Sequence, residues 1–238
     1  MSKYRFYNND NKDQINLDIE DSEILRYLGL RNNPLDIKTK SLLEDSIVEI
    51  KKVSGTKYVY NIFPLEKKDN KILLNNSIIE LEGRDIYEHL KDSEKVAVMA
   101  VTLGIEVEKR IKYYSMTDLS KGIIFDSCAT ALVEKLCDYV QEKIKIVAET
   151  DGYNITSRYS PGYGDLPLSI QNQILNSLNT QRLIGLTATE SSILIPRKSV
   201  TAFIGFTTKK THNKKNCKDR NLYGNCKYSK EGEINCVK

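Results

Sequence analysis

Histidine is scarce in this chain of 238 residues, because only His89 and His212 occur. A Ser-His-Asp or Cys-His catalytic arrangement therefore has almost no material. No apolar run approaches the ~20 residues that a membrane-spanning helix needs. Residues 1–14 also lack the apolar middle of a signal peptide. We therefore expect a cytoplasmic protein whose five cysteines are reduced.

The closely spaced cysteine pairs of a structural zinc site are absent as well. Cys217, Cys226 and Cys236 are separated by eight and nine residues, with only His212 as a possible fourth ligand. Structural zinc sites usually have four ligands and short C-x-x-C spacings. The spacing favours a flexible basic tail with free thiols, and the three cysteines are weak candidates for a metal site.

Positive charge is concentrated at the C-terminus. The chain carries a net charge of +4, but residues 209–238 contain nine Lys and Arg against three Asp and Glu, or +6. Residues 1–208 therefore carry −2, which argues against nucleic-acid binding as their main task. We predict an N-terminal helical and β-hairpin portion (1–84), a ligand-binding core (85–208) and a basic cysteine-containing tail (209–238).

Hydrophobic periodicity predicts alternating helices and strands. Residues 119–148 form the longest predicted helix, and Glu134 and Asp138 fall on its face opposite the predicted core stripe of Phe125, Cys128, Leu132, Leu136, Tyr139 and Ile144. Residues 168–178 form another predicted helix. Residues 95–103 are predicted to form an apolar strand inside a sheet, and residues 58–63 another strand, followed by a turn at Asp69-Asn70. Gly104 follows the strand at 95–103 and begins another helix. Its first turn contains Glu106 and Glu108, which would repel an anion, so the junction is not expected to bind phosphate.

The segment 156–171 is the most chemically specific part of the chain. It contains Arg158, whose planar guanidinium suits a carboxylate or phosphate. Pro161, Gly162 and Gly164 follow within six residues and allow the backbone to approach a ligand closely. These residues predict a ligand-binding loop.

Two motifs, one in this segment and one after it, resemble the reactivation domain of cobalamin-dependent methionine synthase. The first motif is Arg158-x-x-Pro161-Gly162-Tyr163-x-x-x-Pro167, which resembles the R-x-x-P-G-Y-x-x-x-P loop of that domain. The second motif consists of Thr189-Glu190-Ser191, Pro196 and Ser199-Val200, which resemble the T-E-S-x-x-x-x-P-x-x-S-V segment of that domain. The resemblance extends over roughly residues 85–206. It implies an α+β fold, with helices packed on a largely antiparallel twisted sheet.

The resemblance also implies a binding site for S-adenosylmethionine. Arg158 would hold the ligand's carboxylate, and the loop around Gly162 and Tyr163 would contact the adenosine. The remaining candidate binding residues are Ser160, Pro161, Glu134 on the long helix, and Glu190. Four of these candidates have a simpler alternative: a surface salt bridge for Arg158, a solvated helix face for Glu134, packing for Tyr163 and pairing with a basic neighbour for Glu190.

The implied function is that of a stand-alone reactivation subunit. It would bind S-adenosylmethionine and dock on a corrinoid-binding methionine synthase subunit, which carries the cobalamin. An electron-donor protein would support reductive methylation of cob(II)alamin. The chain lacks the family's D-W-T-P-F-type segment, and Gly164-Asp165 departs from the long fused enzyme. Two alternatives stay open, an adaptor for corrinoid proteins that has lost the ligand site and a basic-tailed nucleic-acid-binding protein.

Overall fold

The computed structural model describes residues 5–8, 15, 17–30, 34–68 and 71–209. The α-helices in these ranges are α1 (Asp21–Leu28), α2 (Ile37–Val53), α3 (Arg84–Leu90), α4 (Ile105–Thr117), α5 (Leu119–Thr150), α6 (Gln171–Leu178) and α7 (Thr180–Ile184). The strands are β1 (Arg5–Tyr7), β2 (Lys57–Lys68), β3 (Lys71–Leu74), β4 (Glu80–Glu82), β5 (Ser93–Thr102), β6 (Asn154–Ile155), β7 (Thr187–Ala188), β8 (Leu194–Ile195) and β9 (Ser199–Thr207).

Seven strands form one sheet with the order β4-β3-β2-β5-β9-β6, and β1 pairs with β2 beside this path. Every pairing of named strands in the described ranges is antiparallel. Strands β7 and β8 form a separate hairpin. The predicted α+β architecture with a largely antiparallel sheet is therefore confirmed.

The centre of the sheet is apolar on both faces because β5 alternates between two hydrophobic cores. Ala97, Met99 and Val101 belong to one core, together with side chains of α2, α4 and α5. Their neighbours Val96 and Val98 belong to the other core, which α3, α6 and α7 cover. Fully burying an aliphatic side chain of this kind contributes about 1.5–3 kcal/mol. The two-sided burial explains the nearly unbroken apolar run in the sequence.

Helix α5 is the main element on the first face. It begins after Asp118, whose side chain accepts a hydrogen bond from the Lys121 backbone N–H at 3.0 Å. The predicted core stripe of this helix is confirmed, with one residue, Tyr139, partly buried and the others buried: Phe125, Cys128, Leu132, Leu136 and Ile144. The predicted helix is confirmed and continues to Thr150.

Two boundaries differ from the prediction. Strand β2 continues to Lys68 rather than ending near Phe63, because its charged end pairs with β3 in an exposed hairpin. The predicted helix 168–178 begins as a 3₁₀ turn after Pro167 and becomes α-helical at Gln171. Proline is compatible with a helix start because its missing N–H has no partner there.

Some predictions lie outside the described residues. These are the Asp69-Asn70 turn and the tail cysteines Cys217, Cys226 and Cys236. In the ranges that are described, no three His, Cys, Asp or Glu side chains come together as a metal site requires. Across the same ranges, no helix has both the length and the apolar character needed to cross a bilayer.

Candidate functional site

The chain after β6 continues along the edge of the sheet and positions Arg158. Thr156 donates its backbone N–H to Gly205 at 2.9 Å, and Tyr159 exchanges two backbone hydrogen bonds with Phe203 at 2.9 and 2.8 Å. Successive side chains of an extended segment point to opposite faces. Arg158 therefore points to α5, and Tyr159 packs against the core on the opposite face.

Arg158 forms two ion pairs with neighbouring carboxylates of α5. Its Nη1 lies 2.8 Å from Asp138 Oδ1, and its Nη2 lies 3.2 Å from Glu134 Oε2. Glu134 and Asp138 are four residues apart and share one face of the helix. The Arg158 side chain is only 7% exposed, whereas the carboxylate side chains are 35% and 37% exposed. We call these three residues the arginine cluster.

The electrostatics of the arginine cluster favour a cationic ligand. Burial alone lowers the pKa of Arg158, but Cys137, Asp138 and Glu134 raise it, and the net direction is upward. The guanidinium therefore stays charged and faces two carboxylates, which gives the cluster a formal charge of −1. The carboxylates are more exposed than the guanidinium and form the accessible part of the cluster.

Two members of the arginine cluster, Arg158 and Glu134, were predicted from the sequence as site residues, and the structure brings them together. Asp138, the closer partner of Arg158, was not predicted as a site residue. The i,i+4 spacing from Glu134 was the available signal, since it places both carboxylates on one helix face. The partial burial of Arg158 differs from the surface salt bridge that was the simpler alternative.

The predicted loop follows directly and is held by its own backbone. We call residues 160–166 the glycine loop. Gly162 donates its N–H to the Leu166 carbonyl at 2.8 Å, and Tyr163 donates to Ser160 at 3.1 Å. Gly162 and Gly164 have φ angles of 87° and 51°, in the region that favours glycine. Pro161 is buried, whereas the Tyr163 side chain is exposed.

Helix α3 contacts both ends of this segment. Before the loop, His89 Nε2 lies 2.9 Å from the Ser157 carbonyl oxygen, and burial lowers the pKa of His89. Near the C-terminal end of the loop, the Asp165 carboxylate accepts the backbone N–H groups of Arg84 at 2.6 Å and Asp85 at 3.2 Å. His89 therefore helps to pack α3 against the residues that precede the loop.

The Tyr159 side chain contacts the glycine loop through Tyr163. Its hydroxyl donates a hydrogen bond to the Tyr163 carbonyl at 3.1 Å, and its ring makes edge contact with that of Tyr163. Burial, with smaller contributions from Asp85 and Asp165, raises the pKa of Tyr159 to about 12. The phenol is therefore protonated near neutral pH and remains a donor.

Glu190 lies on the hairpin formed by β7 and β8. It is exposed in the turn between β7 and β8, where Thr189 donates its backbone N–H to Ile193 at 2.8 Å. Over the described part of the chain, no hydrogen bond or ion pair links Glu190 to Arg158 or its two partners. The ligand-binding role of Glu190 stays a prediction.

The described residues also line an open groove of about 450 Å³ at a different place in the fold. Its walls come from β1, β2 and the C-terminal part of α5: Phe6, Tyr7, Tyr58, Tyr60, Lys143, Ile146 and Val147. None of the predicted site residues lines it. The chemistry of the arginine cluster and glycine loop therefore identifies the candidate site better than cavity shape does.

Comparison with known proteins gives an independent result. A family model described as "Vitamin B12 dependent methionine synthase, activation domain" matches residues 83–214, slightly more than half of the chain. No curated protein matches. A solved structure titled "Crystal Structure of the MetH Reactivation Domain bound to AdoHcy" is similar with a TM-score of 0.65 and 15% identity. The match covers 87% of this chain and 80% of that one, and at this identity it shows a common fold.

Proposed function

Because the chain belongs to the family of vitamin B12-dependent methionine synthase activation domains, we propose that it binds S-adenosylmethionine and supports reactivation of a corrinoid protein. The observation that carries the proposal is the arginine cluster beside the glycine loop. The similar MetH reactivation domain is described as bound to AdoHcy. That description supports a related ligand for this chain.

The charges of the arginine cluster fit S-adenosylmethionine. The amino-acid part of this ligand has a carboxylate and an ammonium, and its sulfonium gives the whole molecule a net charge of +1. The cluster has a formal charge of −1, so ligand and site are complementary. The carboxylates of Glu134 and Asp138 would accept hydrogen bonds from the ligand's ammonium group. Arg158 would meet the ligand carboxylate with N–H donors that its bonds to these two residues leave available.

The glycine loop would hold the adenosine part of the ligand. Gly162 and Gly164 have no side chains to block its approach, and the exposed Tyr163 ring offers a flat apolar surface. Ser160 and Pro161 connect the loop to Arg158, so one short segment would contact both ends of the ligand. Glu190 would contribute only if its hairpin approaches the loop when ligand binds.

The protein's own contribution is binding and orientation. S-adenosylmethionine supplies the methyl group that returns a reduced corrinoid to its active methylated form. The arginine cluster and the glycine loop would hold this methyl donor in one orientation and limit the access of water. This division of labour is consistent with the lack of a Ser-His-Asp or Cys-His arrangement in the sequence.

The proposal requires at least two partners. A corrinoid-binding methionine synthase subunit would carry the cobalamin, and an electron-donor protein would reduce it before methyl transfer. Family membership supports the first partner. The second follows from the one-electron reduction that cob(II)alamin needs before it can accept a methyl cation equivalent.

The buried state of Arg158 favours a second candidate function. The guanidinium already has two carboxylate partners and is 7% exposed, which is also the state expected of a site that no longer binds ligand. The protein would then be a non-catalytic adaptor for a corrinoid protein. It would bind that partner and leave S-adenosylmethionine free.

One experiment separates the two functions. The protein is mixed with a cobalamin-loaded methionine synthase fragment that lacks its own activation domain, together with a chemical reductant and S-adenosylmethionine labelled in the methyl group. We expect labelled methylcobalamin to form only when the protein is present, and more slowly with Arg158→Lys. Binding of the corrinoid fragment without transfer of label would select the adaptor. Failure of both contradicts the proposed function.

A further inference from the structure

The glycine loop is attached to a helix from another part of the sequence. Asp165 is the penultimate residue of the loop, and its two carboxylate oxygens accept the first two backbone N–H groups of α3, those of Arg84 and Asp85. Asp165 lies 81 positions after Arg84 and 80 positions after Asp85 in the sequence. Charge-assisted hydrogen bonds of this type are stronger than neutral ones, and the positive end of the helix favours the carboxylate.

The backbone is shaped to let this contact form. A Cβ atom on Gly83 would lie 2.6 Å from Asp165 Oδ1, so a larger residue at this position would push Asp165 away. A Cβ atom on Gly164 would overlap the Asp85 carboxylate and the Tyr159 hydroxyl. Glycine at both positions therefore permits the close approach of α3 and the loop.

The contact of His89 with Ser157 fixes the other end of the same segment to α3. The residues between these two attachments include Arg158 and most of the glycine loop. Helix α3 therefore holds the segment that carries the candidate site at two points, Ser157 and Asp165. Only one attachment, at Asp165, lies within the glycine loop.

We propose that Asp165 is a positioning residue of the S-adenosylmethionine site, where it latches the glycine loop to α3. This inference rests on the proposed function for its ligand, but the latch itself is a property of the free protein. Asp165 holds the loop in the shape that receives adenosine. A preordered loop loses less conformational entropy on binding, which increases affinity.

The test compares Asp165→Ala with Asp165→Asn and a matched control. Asparagine retains one carbonyl acceptor for the α3 backbone, so it restores part of the contact. The control is Asp36→Ala, which removes the aspartate that caps α2 through the Thr39 N–H at 3.0 Å. Helix α2 packs on the opposite face of the sheet. Both alanine variants therefore lose a carboxylate that accepts N–H groups at a helix start. Only Asp165→Ala also loses the contact between the glycine loop and α3.

Two measurements are made on each variant. Amide hydrogen exchange, followed by NMR, reports the opening of the loop at Gly162 and Leu166. We expect Asp165→Ala to accelerate exchange there by about tenfold, because the two hydrogen bonds that it removes are exposed and water replaces part of their strength. Calorimetric titration should show S-adenosylmethionine binding about tenfold weaker, with an intermediate value for Asp165→Asn. Asp36→Ala should change neither.

The outcomes distinguish the latch from the proposed function. Unchanged exchange at Gly162 and Leu166 in Asp165→Ala overturns the latch. Faster exchange with unchanged ligand affinity overturns the positioning role. If the wild-type protein binds no S-adenosylmethionine, the proposed function and the positioning role both fail, and the exchange measurement still decides whether Asp165 latches the loop.

Discussion

Replacing Arg158 by alanine should destabilise the protein as well as its candidate site. The substitution removes a side chain that is 7% exposed and leaves Glu134 and Asp138 facing each other without a cation. Breaking a fully buried ion pair from one side costs about 3–5 kcal/mol. Water can reach the two remaining carboxylates, which are about a third exposed, so we expect a smaller loss of about 2–4 kcal/mol.

Substituting either carboxylate partner of Arg158 should lower the free energy of unfolding by a part of this amount. Asp138→Asn keeps an acceptor oxygen at the shorter contact but removes its charge, and should cost about 1–2 kcal/mol. Glu134→Gln affects the longer contact of 3.2 Å and should cost about 0.5–1 kcal/mol. Because each variant leaves Arg158 with one charged partner, both losses should be smaller than that of Arg158→Ala.

Urea denaturation at equilibrium measures these differences through the transition midpoint and slope. Lys145→Ala provides a control on the same helix, since Lys145 forms only solvent-exposed pairs with Glu142 and Glu149. We expect that control to retain the wild-type midpoint. An Arg158→Ala protein with the wild-type midpoint would refute the reasoning, because the arginine cluster would then make no net contribution to the fold.

Two further predictions concern the packing around α5 and α3. Gly122 lies where α5 crosses α4, and a Cβ there would approach the Ser115 nitrogen to 3.1 Å. Gly122→Val should therefore destabilise the protein by about 1–3 kcal/mol, measured by thermal unfolding. Burial lowers the pKa of His89 from 6.5, so the unfolded chain binds more protons below about pH 6.5. Stability should fall as pH decreases from that value towards the lowered pKa of the folded state. His89→Gln should reduce this fall in urea midpoints, and an identical pH dependence would contradict the assignment.

Local patterns were sufficient for much of the fold. The apolar run of β5 indicated a strand with two buried faces, and the apolar stripe of α5 indicated a long helix against the core. Strand order was less accessible, because pairing depends on contacts between distant residues. The exposed end of β2 shows the same limit, since its charged residues have no strand-like pattern and are ordered by pairing with β3.

The candidate site was predictable only in part for the same reason. Motif resemblance identified Arg158 and the loop, and helix periodicity placed Glu134 and Asp138 on one face. Nothing local indicated that this face lies beside the extended segment that carries Arg158, 20 residues beyond Asp138. The contact between Asp165 and Arg84 spans 81 residues. Both contacts come from tertiary packing and could not be read from sequence spacing.

The most direct test of the central claim is calorimetric titration of the protein with S-adenosylmethionine. Arg158→Lys is the informative variant, because it keeps a positive charge near the two carboxylates but lacks the planar fork of donors. The account predicts saturable binding by the wild-type protein, unchanged binding by Lys145→Ala and binding weaker by about tenfold in Arg158→Lys. Absence of binding by the wild-type protein, or equal affinity in Arg158→Lys, would contradict it.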